Sequence, residues 1–328
     1  MNTQEIIAKI KSYDHFKGKI LLNENLSNKT TFKIGGQAEL FIKPLNYNSF
    51  QIVLDILLED NIPFFILGGG SNLVFTDQIL HKVVISTQDF SDLDYFAPED
   101  LPSEFGKIEL SKDECLVSCF SGTPMSKLVN FCTSNCISGM EEFAGLPGSV
   151  GGALYMNARC FNKEISDVLL CSSYMDYSSG KVLLKKCRTI KEEWAYKKSP
   201  YQDSKKFITT ATFLLTQKKQ EEQAQIESNC KNFIAERVSK GHFKYPSAGS
   251  VFKNNHSFGK PSGAIIDQAG LKGYQIGGAK IADFHGNIII NTGNASAQDV
   301  KKLVTYTQKI IKEKYNFNLE PEIIFVDN

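Results

Sequence analysis

Three consecutive glycines interrupt an apolar run. Ile62–Leu67 leads into Gly68-Gly69-Gly70-Ser71-Asn72, and Leu73-Val74-Phe75 follows. Such a turn is open to left-handed backbone conformations closed to residues with a Cβ, and it can aim several N–H groups at one point. Ser71 and Asn72 add side-chain donors, so the natural guest is an anion such as a phosphate or pyrophosphate. A glycine-rich hairpin turn is the competing reading. No Gly-Lys-Ser/Thr follows, so this is not a P-loop, and the spacing is not the Gly-x-Gly-x-x-Gly dinucleotide fingerprint. A second glycine-punctuated stretch, Gly145–Gly152, ends beside Met156-Asn157. Two anion-friendly loops on one chain point to a large dinucleotide on some other fold.

Further along, Ser250 follows a flexible glycine in Ser247–Asn254 and precedes the polar pair Lys253-Asn254. No Gly-x-Ser-x-Gly elbow or His–Asp partnership is legible, so a hydrolase triad is excluded in favour of a proton donor or substrate ligand. Glu322 stands between Pro321 and the apolar run Ile323–Val326, where a carboxyl can serve as an acid; an exposed strand-end glutamate is the alternative. Tyr196-Lys197-Lys198-Ser199-Pro200-Tyr201 forms a short basic loop, and His285 reads as part of a structural turn before a strand. The pairs Cys115/Cys119 and Cys132/Cys136 invite a zinc reading, but neither has the Gly, Pro or His of a metal knuckle nearby. The eight cysteines read instead as reduced, small buried hydrophobes.

These groups need a scaffold, and 328 residues are enough for two or three domains or subdomains. A hydrophobic fraction of 42% and a charged fraction of 22% are those of a globular protein, and a net charge of +1 argues against nucleic acid or an anionic membrane as partner. With no signal-peptide core and no 18-residue apolar run, the expected location is the cytoplasm, with no obligate protein partner. Apolar spacing predicts helices at the N-terminus through residue 12 and over 46–60, 124–136 and 218–240. A further helix opens at Ser296, where Asp299 completes a capping box. Strands are expected at 38–42, 62–67, 82–86, 115–120, 167–174, 181–186, 206–215, 287–291 and 323–326, and 89–113 reads as an acidic surface excursion. The β–α–β start makes the fold mixed α/β.

Eight segments, in order from residue 30 to 325, together resemble one family, the UDP-N-acetylenolpyruvoylglucosamine reductases, MurB-type flavoenzymes of peptidoglycan precursor synthesis. They are Thr30–Gly36, Leu67–Leu73, Glu142–Asn157, Tyr196–Ser199, Pro246–Asn254, Ile266–Gly273, Asn291–Ala295 and Leu319–Glu322. The resemblance implies FAD bound on a two-subdomain fold of the vanillyl-alcohol-oxidase and para-cresol-methylhydroxylase type, plus a C-terminal α+β substrate domain. The implied boundaries are 1–75 and 76–217 for FAD, with 319–328 able to return to the first, and 218–318 for substrate. It also implies NADPH as the reductant of FAD and hydride transfer from flavin N5 to the enolpyruvyl β-carbon of the UDP-sugar. On this reading the cofactor-binding residues are Gly68, Gly69, Gly70, Ser71, Asn72, Gly122, Gly145, Pro147, Gly148, Ser149, Gly152 and Asn157. The proton donor falls on Ser250 and the acid beside the developing enolate on Glu322. Tyr196, Lys240, Lys253, Asn254 and Lys260 fall on or near substrate-gripping positions.

The chain departs from the family pattern in several places. Where the family has Tyr-Arg-x-Ser, Lys197 replaces the arginine and keeps charge without the planar fork. Lys197 is expected to act as a point charge, with Lys198 as its competitor. Ala158-Arg159-Cys160-Phe161 replaces Ala-Gly-Ala-Tyr, Gly241-His242 replaces Gln-Pro, and Ala282 and Phe284 interrupt the pattern ahead of His285. The short span from Ser199 to Ser250 matches the subtype lacking an extra tyrosine-bearing loop. Two other readings stay open here: a sugar or alcohol oxidase of the same fold, and a non-catalytic flavin- or nucleotide-sugar-binding protein.

Overall fold

The computed structural model of the chain describes residues 2–97 and 108–328. Contacts divide it into two units, the first of Met1–Ile20, Ile42–Gly69 and Val84–Ala235, the second of Leu21–Phe41, Gly70–Val83 and Glu236–Asn328. One crossing from unit to unit therefore falls inside the triple glycine, between Gly69 and Gly70. Among the described residues, no helix is long and apolar enough to cross a membrane.

The first unit is built on an antiparallel sheet. Its strands run in the order Leu183–Arg188, Leu169–Asp176, Lys206–Gln217, Glu114–Phe120 and Leu93–Phe96, with Ile137–Ser138 also paired to Lys206–Gln217. Central strand Lys206–Gln217 is covered on both faces, so Thr209 and Thr212 are buried along with Phe207, Ala211 and Phe213. Phe207 stacks on Phe50 of the Tyr47–Glu59 helix with ring centroids 4.5 Å apart. Ala211, Phe213 and Leu215 instead enter a core with Leu128 and Val129 of the Met125–Ser134 helix and Leu154 of the short Val150–Tyr155 helix. The expected excursion at 89–113 is corrected in part: Leu93–Phe96 is an edge strand, while 98–107 lies outside the described residues.

Cys115, Cys119, Cys132 and Cys230 sit in this same core, and all eight cysteines are free thiols, only Cys187 being less than fully buried. Burial pushes the Cys115 thiol up to about 11 and that of Cys119 to about 12. Neither forms a thiolate near neutral pH, which suits them to packing.

The second unit has a four-stranded antiparallel sheet in the order Ser247–Ser250, Ile288–Asn291, Ala279–Ile281 and Gln275–Ile276. The helix Ala297–Tyr315 starts at the predicted capping box. Ser296 Oγ accepts the Asp299 N–H at 3.0 Å, and Asp299 Oδ2 accepts the Ser296 N–H at 3.1 Å. Its Val300, Leu303, Val304 and Ile311 are buried in the core of the unit. Leu73–Phe75 pairs in parallel with Ile324–Val326, whereas Phe64–Leu67 belongs to a different sheet. The strands flanking the triple glycine do not pair with each other, so the hairpin reading falls.

Candidate active site

Within the first unit the two glycine loops meet backbone to backbone. A Cβ on Gly69 would stand 2.4 Å from Gly148 Cα, and one on Gly68 would stand 2.6 Å from Ser149 Oγ. Backbone leaves no room for a side chain at Gly69, whereas at Gly68 only the Ser149 hydroxyl would have to move. The Gly69 N–H donates to Ser149 Oγ at 3.2 Å, and the same oxygen accepts the Gly152 N–H at 3.4 Å. Gly122 has a packing explanation, since a Cβ there would stand 1.7 Å from Thr87 O. Beside it, the Ser121 Oγ and Thr209 Oγ1 hydroxyls are buried with no hydrogen-bond partner in the protein. The Ser121 N–H donates to Thr209 O, and Ser121 O accepts the Gly151 N–H, both at 2.8 Å. Buried hydroxyls without partners are rare, and two of them beside a glycine loop fit the polar part of a bound dinucleotide. The residues present therefore fit FAD, and Gly68, Gly69, Gly148 and Ser149 are the ones that could hold it.

The basic loop of the first unit is a tight turn. Ala195 and Lys198 exchange both backbone hydrogen bonds, at 3.1 and 2.9 Å, leaving Tyr196 and Lys197 at its tip. Lys197 has φ 57°, in the left-handed region. Three side chains brace the turn: Gln202 Nε2 donates to Lys197 O at 3.0 Å, Asn157 Nδ2 to Ala195 O at 2.9 Å, and Ser199 Oγ to Tyr155 O at 2.8 Å. The Asn157 amide, expected at the cofactor, is thus committed to this loop and to Glu164 Oε2 at 2.9 Å. Lys197 is half-buried and Lys198 exposed, which favours Lys197 as the functional cation.

In the second unit, Gly70 (φ 66°) is held by its carbonyl accepting the Thr31 N–H at 3.1 Å, and Ser71 is half-buried next to it. Asn72 Nδ2 donates to Glu322 O at 2.9 Å, so this side chain positions the Glu322 strand. The Glu322 N–H in turn donates to Val251 O at 2.7 Å, next to Ser250. Ser250 ends a bulged strand: Ser247 faces Ile290 and Ser250 faces Ile288, leaving one extra residue, with Gly249 at φ 76°. Ser250 and Asn254 line a cavity of about 290 Å³ together with Asp267, Lys272, His285 and Asn287. Lys272 pairs with Asp267 at 2.9 Å, and Asn287 clamps Phe252 by accepting its N–H at 2.9 Å and donating to its carbonyl at 2.7 Å.

Two family models match the chain: an FAD binding domain over residues 38–184 and the C-terminal domain of UDP-N-acetylenolpyruvoylglucosamine reductase over residues 241–326. The UDP-N-acetylenolpyruvoylglucosamine reductase of Treponema denticola is 38% identical over 318 residues, covering 94% of each chain. The chain belongs to the UDP-N-acetylenolpyruvoylglucosamine reductase family. The enzyme of that name from Borreliella burgdorferi is 36% identical, covering 96% of this chain and 98% of the relative. A crystal structure of the Thermus caldophilus enzyme matches with a TM-score of 0.69 at 27% identity, over 95% of this chain and all of that one. The fold is accordingly a mixed α/β FAD-binding type with a C-terminal α+β domain.

The expected substrate residues Lys240, Lys253 and Lys260 have surface partners. Lys240 Nζ pairs with Glu236 at 2.5 Å, Lys253 Nζ with Glu320 at 2.5 Å, and Lys260 Nζ donates to Gln268 Oε1 at 3.0 Å. Asn254, also expected at the substrate, lines the Ser250 cavity, and its Oδ1 accepts the Ser262 N–H at 2.9 Å. His285, read from sequence as structural, is in the cavity wall. Its Nδ1 accepts the Asn287 N–H at 3.1 Å, which leaves the ring proton on Nε2. Burial, helped by the Lys240 charge, lowers the His285 value and keeps the ring neutral. His242, with its ring 6.2 Å from that of His285, is pushed down to about 4, mainly by burial and then by Arg237.

Proposed function

We propose that the chain reduces the enolpyruvyl ether of UDP-N-acetylglucosamine to UDP-N-acetylmuramate, in the cytoplasm, as a step of peptidoglycan precursor synthesis. FAD, when bound at the glycine loops, supplies the hydride and is recharged by NADPH. Residues 1–75 and 76–217 serve the cofactor and 218–318 the substrate. Hydride addition at the β-carbon leaves negative charge on the α-carbon and its carboxylate, and fixed cations or donors there lower the barrier. The Lys197 ammonium, presented by its braced turn, meets that charge. The Ser250 hydroxyl protonates the α-carbon, and Glu322 stands beside the same carbon. A serine is a weak acid and needs a neighbouring charge to act as one.

The observation that carries this reading is the pairing of the bulged Ser250 strand with Glu322 through the Val251 carbonyl, at the edge of a cavity that Asn254 also lines. The test is anaerobic stopped-flow with the flavin-loaded protein. NADPH should bleach the yellow colour, and the enolpyruvyl UDP-sugar should restore it. A protein that takes up no flavin, whose flavin is bleached by simple sugars or alcohols, or whose reduced flavin is not re-oxidised by the enolpyruvyl UDP-sugar, would sink the proposal.

A further inference from the structure

The Ser247–Ser250 strand lies at the edge of its sheet, and its register against Ile288–Asn291 skips Ala248 and Gly249. Past this bulge the chain is fixed from two directions. The Val251 N–H donates to Asn287 O at 2.8 Å, and Val251 O accepts the Glu322 N–H at 2.7 Å. Ahead of the bulge, Thr31 Oγ1 donates to Ser247 O at 2.8 Å, across 216 residues of sequence. The Gly249 N–H turns back to Ser247 Oγ at 3.4 Å, so the bulge springs from Ser247. A peptide unit is planar, and a hydrogen bond to Ser247 O therefore fixes the whole Ser247–Ala248 peptide. Gly249 opposes little to a swing of the bulge, since it has no Cβ and the space a Cβ would take is open.

Thr31 is itself anchored. Its N–H donates to Gly70 O at 3.1 Å, and the next residue, Phe32, is fully buried in the same core as Ala248, Val251 and Phe252. Phe32 O accepts Asn291 Nδ2 at 3.1 Å, which ties the segment to the strand beside Ser247–Ser250 as well. A β-branched side chain on so fixed a backbone has little rotamer freedom. We propose that Thr31 is a positioning residue for Ser250, its hydroxyl setting the Ser247–Ala248 peptide and through it the place of the Ser250 hydroxyl in the cavity wall. The inference rests on the proton-donor role proposed above for Ser250. Proton delivery needs the donor within hydrogen-bond reach, and a misplacement of about 1 Å can cost roughly 10²-fold.

The test is re-oxidation of the reduced, flavin-loaded protein by the enolpyruvyl UDP-sugar, followed by anaerobic stopped-flow over a range of substrate concentrations. Thr31→Val should lower the limiting rate about tenfold, the scale of one lost hydrogen bond, with the half-saturating concentration held within about twofold. Thr31→Ser keeps the hydroxyl and should stay within about threefold of the parent. Thr31→Ala removes the hydroxyl without setting a methyl against the Ser247 carbonyl, and it should behave as Thr31→Val does. A double-mutant cycle separates positioning from general loosening: once Ser250→Ala is present, adding Thr31→Val should change the rate by less than about twofold. An unchanged rate in both Thr31→Val and Thr31→Ala, no rescue by Thr31→Ser, or a full tenfold effect persisting in the Ser250→Ala background overturns the assignment while the reductase reading stands. If the substrate never re-oxidises the parent protein, the reductase reading fails and the role of Thr31 falls with it.

Discussion

Gly249 in the second unit (φ 76°) and Lys197 in the first (φ 57°) both hold the left-handed backbone beside a reactive group, by opposite means. At the Ser250 bulge the left-handed residue is itself a glycine, and a Cβ there would meet nothing within 4 Å. The sheet pairing of Ser247 and Ser250 fixes the shape, and the proposed proton donor is the next residue. At the basic turn the proposed cation is the left-handed residue itself, so on that reading glycine is not available. The conformation then costs about 1–2 kcal/mol, and side chains from elsewhere must offset it. Gln202 and Asn157 hold the Lys197 and Ala195 carbonyls. A residue that only aims its neighbour can be glycine, whereas one that must itself carry charge needs braces.

The largest effect that tests this contrast is at the aimed residue. Ser250→Ala should lower product formation roughly 10³-fold while leaving reduction by NADPH intact, as expected when a general acid is removed. Stopped-flow separation of the two half-reactions reads this, and near-normal turnover would remove Ser250 from the donor role. Next, Lys197→Met should slow re-oxidation by substrate roughly 10²-fold, on the scale of one lost electrostatic donor. Lys198→Met should leave it unchanged, and the reverse result would move the function to the exposed neighbour. Removing a brace is milder: Gln202→Ala should slow the same step about tenfold, because the lost hydrogen bond contributes about 1 kcal/mol to holding the turn. If Gln202→Ala is silent, the turn holds itself and the contrast with the glycine bulge disappears.

Gly249→Ala should destabilise by about 1–2 kcal/mol through backbone strain alone, since no clash accompanies it. A denaturant titration that finds no change would show that the bulge does not depend on its glycine. The smallest effect concerns pH. His242 has a folded value of about 4 against an ordinary 6.5, lowered first by burial. His285 shifts in the same direction for the same first reason. The folded unit therefore binds fewer protons than the unfolded chain between those values, and stability present above about 6.5 is lost as the pH falls toward 4. Melting points should drop by a few degrees over that window, and His242→Gln should flatten part of the slope. A slope unaffected by that change would assign the loss to other groups.

Much of the scaffold is legible in the sequence because its signals are local. The 3.6-residue period of Tyr47–Glu59 and the capping box at Ser296 each declare a helix without reference to the rest of the chain. Strand Gly18–Asn25 lacks such a signal, being mostly exposed, and Leu93–Phe96 hides in a polar stretch because it lies at a sheet edge. The glycines, Ser250, Asn254 and Lys197 stand out by residue type and spacing. Partnerships do not, because they depend on residues brought together only by folding. The Asn72 contact with Glu322, the Asn157 brace on Ala195 and the Thr31 contact with Ser247 all belong to that class. His285 belongs there too, since only the cavity shows that a histidine in a turn shares a wall with Ser250.

The parallel pairing of Leu73–Phe75 with Ile324–Val326 also bears on how the protein is made. A nascent chain leaving the ribosome exposes the earlier strand long before its partner exists, because the neighbouring Asn72–Glu322 link spans 250 residues. Until translation reaches residue 326, that strand edge is unpaired and open to wrong partners. The segment that completes it carries Glu322 into place in the same movement. Placement of the proposed acid Glu322 and closure of this edge are thus one late event, and a stalled ribosome short of residue 322 would hold a chain with neither.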